Sequence, residues 1–147
     1  MSILYDERVD GALPKVDKPA LLAELRTCLP DLEVLHTQED LKPYECDGLS
    51  AYRTTPLLVV LPERLEQVES LLKLCHRRGV PVVARGAGTG LSGGALPLEQ
   101  GILLVLARFN KILEIDPAGR FARVQPGVRN LAISQAAAPH ELYSAPD

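Results

Sequence analysis

Apolar side chains follow two rhythms along this chain. Between Lys18 and Leu29, the leucines at 21, 22, 25 and 29 recur at helical spacing until Pro30 stops them, which predicts a helix. Leu57–Leu61 is instead a continuous β-favouring run bounded by Pro56 and Pro62, the pattern of a short buried strand. A second helix is expected to start at Pro62, because proline is tolerated at a first helical position and Glu63 and Glu66 face the positive end of the helix dipole. Leu65, Val68, Leu72 and Cys75 would form its buried stripe, and Gly79 its left-handed stop. Val80–Ala84 reads as a second strand. Strand, helix and strand over residues 57–84 make a βαβ unit, which implies two parallel strands joined by a right-handed crossover.

Beyond a glycine-rich loop at Arg85–Gly94, three further strands are expected at Ile102–Leu106, Lys111–Ile115 and Phe121–Gln125, with Asp116–Gly119 as the turn between the last two. Val128–Ala138 predicts a helix with Leu131 and Gln135 on one face, ended by Pro139. Residues 1–17 read as a lead-in arm, and the irregular, polar stretch 31–55 as a covering loop rather than a core element. The expected class is α+β: an N-terminal helical arm and covering loop over residues 1–54, then over residues 55–147 a βαβ unit, a glycine loop and further strands.

Composition narrows the function. A net charge of −3 leaves no basic surplus to neutralise phosphates, so nucleic acid is not the expected partner. The densest basic cluster, His76-Arg77-Arg78, falls at a helix end, where it complements the dipole. Cys28, Cys46 and Cys75 are odd in number and form no CxxC, which suggests neither a disulfide framework nor a zinc site and favours a reducing cytoplasm. The apolar runs are strand-sized, so no transmembrane segment is expected. The acidic start Met1–Arg8 does not suit an export signal.

The chemistry concentrates in Arg85-Gly86-Ala87-Gly88-Thr89-Gly90-Leu91-Ser92-Gly93-Gly94. Half of these ten positions are glycine, which lets backbone approach a ligand closely and lets successive N–H groups converge on one anion. Thr89 and Ser92 add hydroxyl donors, Arg85 adds positive charge, and no acid occurs between Val80 and Leu98. The plain alternative is a flexible surface turn. Gly88, Gly90 and Gly93 spell GxGxxG after a strand, with Glu114 about 20 residues on, as a nicotinamide-binding fingerprint would require. That fingerprint also needs a helix to start in the loop, and Pro97 and Gly101 forbid a long one. A Walker A loop fails as well, for want of a lysine after the glycines.

The stretch Pro81–Gly94, together with Gly101–Asp116 (GILLVLARFNKILEID) and Val124-Gln-Pro-Gly-Val128, resembles the FAD-binding (PCMH-type) domain of the p-cresol methylhydroxylase and vanillyl-alcohol oxidase superfamily. Within it, the likeness is greatest to the branch of bacterial glycolate oxidase flavin subunits and D-lactate dehydrogenases. It runs from about Tyr44 to Asp147, so the chain would carry the first part of such a domain. The resemblance implies that Arg85 to Gly94 wrap the FAD pyrophosphate, mainly through backbone amides. It implies that Gly127 passes close to the flavin, and that Pro146 and Asp147 open a second FAD-contacting segment. Some relatives attach FAD through a histidine that aligns with Thr89. Threonine cannot form that bond, so FAD is expected to be non-covalent. His140, after a helix-ending proline and outside the loop, is expected to be exposed and structural. Relatives usually have glycine where Glu141 stands and an aromatic residue where Ser144 stands.

The function so implied is the FAD-binding portion of an oxidoreductase that oxidises a small 2-hydroxy acid, glycolate first among them. Other subunits of a glycolate oxidase complex would be partners, in the cytoplasm or peripherally at the inner face of the membrane. No catalytic residue is expected within this chain. The competing readings are a non-catalytic half-domain, which binds nucleotide weakly or is completed by a partner chain, and a remnant without function.

Overall fold

The structure is a computed structural model that describes residues 15–145, so the expectations for residues 1–14 and for Pro146 and Asp147 lie outside the described residues. Helix α1 spans Lys18–Cys28, with the Asp17 carboxylate accepting the Ala20 N–H at its N-terminus. Strand β1 (Glu33–Leu35) and the short helix α2 (Gln38–Leu41) follow, then β2 (Leu58–Leu61), α3 (Leu65–Arg78), β3 (Val82–Arg85) and β4 (Ile102–Val105). A β5–β6 hairpin (Ile112–Asp116, Phe121–Val124) and helix α4 (Asn130–Ala137) complete the chain. The mixed α+β class expected from the sequence is the class observed.

Four strands form one sheet in the order β1-β2-β4-β3, with β1 antiparallel to β2, and both β2 and β3 parallel to β4. The expected βαβ unit is therefore present, but β4 inserts between its two strands. Side chains alternate across this sheet. Leu58, Val60, Ile102 and Leu104 pack with Leu21 and Leu25 of α1 and with Leu71, Leu74 and Cys75 of α3. Val59, Leu103 and Val105 face the other way, against Leu41, Tyr44 and Leu35. The stretch 31–55 is thus more than a covering loop: it supplies an edge strand and the layer over the second sheet face. Its three-residue strand is too short to show a period in the sequence.

Helix α3 departs from expectation at its start and in its face. It begins at Leu65, not Pro62, because the Gln67 side chain turns back to accept the N–H groups of Glu63 and Arg64 at 2.8 and 3.1 Å. Its amide also donates to the Asp31 carbonyl, so this polar side chain is buried and satisfied. The buried stripe is Gln67, Leu71, Leu74 and Cys75, whereas Leu65 and Leu72 are 61% and 44% exposed. Two leucine-bearing stripes share this helix, and the true one looked broken by a glutamine. Gly79 closes the helix at φ 65°, as expected. Arg77 and Arg78 do more than complement the dipole, since both pair with Glu24 on α1.

The hairpin turn sits where predicted, with the Gly119 N–H donating to Asp116. Helix α4 carries Leu131 and Gln135 on one face, as expected, and that face is the outer one: Leu131 is 68% exposed, while Ile133 and Ala137 turn inward. Pro139 does not stop the chain's coiling outright. It lies inside a 3₁₀ turn, Ala138–His140, that tightens the helix end, and Glu141 follows at φ 59°, a conformation that suits glycine better. That agrees with the glycine the resemblance places there.

Candidate functional site

The glycine-rich loop leaves the carboxyl end of β3, next to the carboxyl end of the parallel strand β4. In open α/β sheets this is the edge where ligands bind. No helix starts between Arg85 and Ile102, so the geometry required for a nicotinamide fingerprint is absent. Glu114, the ribose-binding acid of that reading, instead pairs with Arg123 across the hairpin.

Among the described residues, no backbone N–H from Gly86 to Ala95 donates to a protein acceptor, and Leu96 is the first to do so, to Gly93. Ten consecutive free donors on a glycine-rich path, with Gly88 at φ 71° and Gly93 at φ 74°, are what a nest for an anion requires. Thr89 and Ser92 are exposed beside them, and Leu91 is 72% exposed at the tip. The donor set fits a diphosphate. It gives a non-covalent group no nucleophile to bond to, since the loop contains neither histidine nor cysteine.

The Arg85 side chain reaches from β3 to the segment around Tyr44 and Cys46. Its guanidinium donates to the carbonyls of Cys46 and Tyr44 at 2.7 and 3.4 Å and stacks over the Tyr44 ring at 5.8 Å. A Cβ on Gly88 would collide with that guanidinium, so the loop folds directly across it. Both hydrogen bonds come from Nη1, so Arg85 is anchored to that segment while its Nε and Nη2 lie against Gly88 of the loop.

Gly127 is brought to the same place. Its N–H donates to Phe109 at 2.7 Å, and a Cβ there would lie 2.7–2.8 Å from the carbonyl oxygens of Leu106, Ala107 and Phe109. Only a glycine lets the Pro126-Gly127 turn lie on the segment leaving β4. The Pro126 carbonyl in turn lies 3.6 Å from where a Gly86 Cβ would be. The turn thus backs the loop at Gly86.

Sequence reasoning missed Tyr44, Cys46, Asp47 and Gly48, which lie against the loop from the layer beneath the sheet. The available signal was Asp47-Gly48, a turn dipeptide inside an otherwise structureless stretch. His140 is exposed at the end of its 3₁₀ turn, away from this cluster of residues, as expected. Cys75 is in the core, where burial pushes its thiol up to about 11 and leaves it inert. No cluster of metal-binding side chains occurs among the described residues, and no described helix is long and apolar enough to cross a membrane.

The loop is an open shelf. Two clefts, of about 210 and 240 Å³, lie elsewhere: one between Lys15–Leu21 and Arg78–Val80, the other between the hairpin and α4. Neither includes a residue of the Arg85–Gly94 loop.

Comparison with known proteins gives the shelf its context. The glycolate oxidase subunit GlcD of Escherichia coli K12 is 71% identical over all 147 residues, and the chain spans 30% of its length. The D-lactate dehydrogenase of Archaeoglobus fulgidus is 40% identical over 89 residues, which is 60% of this chain and 20% of that protein. Among solved structures, p-cresol methylhydroxylase with substrate bound superposes with a TM-score of 0.71 at 27% identity, over 84% of this chain and 25% of that one. The family described as FAD binding domain matches residues 56–147, from the first strand of the expected flavin domain through the glycine loop to the end. The chain belongs to this FAD-binding domain family, with the p-cresol methylhydroxylase type of fold, and FAD is its cofactor.

Proposed function

We propose that the protein this chain spans in part is a flavin-dependent oxidoreductase that oxidises a small 2-hydroxy acid, with glycolate as its substrate. The observation that carries the reading is the 71% identity to a glycolate oxidase subunit, unbroken across the whole chain. In this reading residues 1–54 are the arm and supporting layer, and residues 55–147 the first part of the flavin domain. The Arg85–Gly94 loop holds the FAD pyrophosphate through the free N–H groups of residues 86–95, aided by the Thr89 and Ser92 hydroxyls. Arg85 and Gly127 hold the two flanks of that loop. Bound FAD supplies the two-electron acceptor, while the protein binds and orients it. Groups that grip the 2-hydroxy acid lie outside this chain.

FAD is held without a covalent bond, because Thr89 occupies the loop position where a histidine would be needed. The relative's name makes it a subunit, so further subunits complete the enzyme. Free Cys28, Cys46 and Cys75 fit a reducing compartment, and we place the protein in the cytoplasm, with any contact to the inner face of the membrane made through those subunits.

The test uses the full-length protein. Acid precipitation should release its yellow chromophore into the supernatant, and anaerobic glycolate should bleach the bound flavin faster than D-lactate does. Flavin that stays with the precipitate would end the non-covalent reading. Flavin that is bound but reduced by neither acid would remove the substrate assignment and favour a non-catalytic half-domain completed by a partner.

A further inference from the structure

The segment beneath the glycine loop has a structural consequence for the loop's donors. Gly48 lies so close to the loop that a Cβ on it would sit 2.5 Å from the Thr89 carbonyl oxygen and 2.8 Å from that of Gly90. For Thr89 the carbonyl carbon lies 2.8 Å from the same point, so this peptide is packed side-on against Gly48. No peptide bond in the described chain is cis. In a trans peptide the N–H of the next residue points opposite to the carbonyl. The N–H groups of Gly90 and Leu91 each belong to a peptide whose carbonyl end is packed on Gly48, so the turn fixes where they sit. Those two N–H groups are among the ten with no protein acceptor.

Gly48 is itself held in place. The Asp47 carboxylate accepts the Leu49 N–H at 2.9 Å, closing a turn around Gly48, and Asp47 is only 5% exposed. Its second oxygen is buried without a partner, so this carboxylate is not kept for an ion pair. From the upstream side, Arg85 grips the carbonyls of Tyr44 and Cys46. The segment is thus tied to β3 at one end and bears on the loop tip at the other.

We propose that the Asp47–Leu49 turn is a positioning element of the cofactor site. Gly48, by its missing Cβ, lets the Thr89–Gly90 and Gly90–Leu91 peptides rest on the turn and so holds their two N–H groups in place for the diphosphate before it binds. The inference rests on the reading of the loop as the pyrophosphate site. It adds residues that lie outside the matched segment 56–147 and never need to touch the ligand. Pre-aimed donors bind an anion without reorganisation, which is why their orientation should register in affinity.

The experiment compares full-length wild type and Gly48→Ala, stripped of flavin, for binding of FAD, of ADP as a competitor carrying the diphosphate, and of riboflavin, which lacks it. An added methyl must push the two peptides aside. Misaligning one or two charge-assisted hydrogen bonds should weaken FAD and ADP together by about tenfold or more. Riboflavin affinity should stay at the wild-type value. Unchanged FAD and ADP affinity would overturn the proposal, and so would an equal loss for all three ligands, which marks a general collapse of the site. ADP that fails to compete with FAD on the wild type would instead sink the pyrophosphate reading beneath it. Because Gly48→Ala adds bulk that can prevent folding, Asp47→Ala serves as the second variant, opening the turn without adding atoms. It should weaken ADP by roughly threefold, the loss of one ordering contact, while Asp47→Asn, which keeps the acceptor, stays near wild type. An Asp47→Ala protein that binds ADP as wild type does would count against the turn's role.

Discussion

Residues 18–109 and residues 112–145 treat their apolar side chains in opposite ways. In the first region both faces of the four-stranded sheet are covered, and Leu25, Leu58, Val59, Val60, Leu71 and Leu103 are fully buried. In the second, Ala137 is the buried apolar residue, while Leu113, Phe121, Leu131 and Tyr143 are 57%, 45%, 68% and 78% exposed. The sheet region carries its own core. The hairpin and α4 present an apolar face of the kind that ordinarily meets more protein, in a chain that spans 30% of its Escherichia coli relative. The glycine loop lies at the seam between them. Arg85 and Gly48 fix it from the first region, and the Pro126-Gly127 turn backs it from the second. A loop placed there has one support with a core of its own and one whose packing is incomplete within these residues.

The contrast is tested most strongly by cavities. Leu103 lies on the central strand β4 with no exposure, so Leu103→Ala should destabilise the chain by about 2–5 kcal/mol. Leu131→Ala in the same 147-residue chain should change stability by no more than about 0.5 kcal/mol. Urea unfolding of the two variants side by side measures the difference. Equal losses would mean that the hairpin half has a core of its own, and the comparison above would be wrong.

Most of the first region was legible in the sequence because its signals are local. Short apolar runs marked β2, between two prolines, and β4, after a glycine, and a glycine at the helix end marked where α3 stops. The face of α3 was not legible. A buried glutamine is favourable there only because Asp31, 36 residues away, offers its carbonyl, and no periodicity reports such a partner. The strand β1 escaped for the same reason, since three residues acquire their pairing from β2 rather than from their own pattern. Of the site, the loop announced itself by composition. Its support did not: Gly48 and Gly127 are glycines because of backbone that approaches from distant parts of the chain.

Gly127 ties the loop to the second region. A methyl group there would meet three carbonyl oxygens of the segment leaving β4 at 2.7–2.8 Å, and backbone cannot swing aside as a side chain would. Gly127→Ala should therefore cost about 1–3 kcal/mol, the usual range for overpacking. In the full-length protein it should also weaken FAD binding, because the displaced turn backs Gly86. A flavin titration beside a thermal melt separates the two effects. A variant that loses stability and keeps wild-type FAD affinity would show that the loop depends on its first support alone.

The smallest expected effect concerns that first support and acid. Glu45 lies next to Tyr44 and Cys46, the residues whose carbonyls Arg85 grips, and its own carbonyl accepts the Thr54 N–H at 2.7 Å. Lys42 first, and then Arg53, hold its carboxyl below the ordinary value of 4.5. A carboxyl whose folded pKa is depressed adds stability above its unfolded pKa, and that contribution is lost as the pH falls through the folded value. Residues 42–54 should thus be tightest at neutral pH and loosen below about pH 4.5. The side chains of Lys42 and Arg53 are 70% and 61% exposed, so water and salt screen both pairs and the effect stays modest. Hydrogen exchange at the Thr54 amide, followed from pH 7 to pH 3 after correction for intrinsic rates, reads it directly. Glu45→Gln should flatten that profile, and a wild-type profile already flat would show that Arg85 alone holds the segment against the loop.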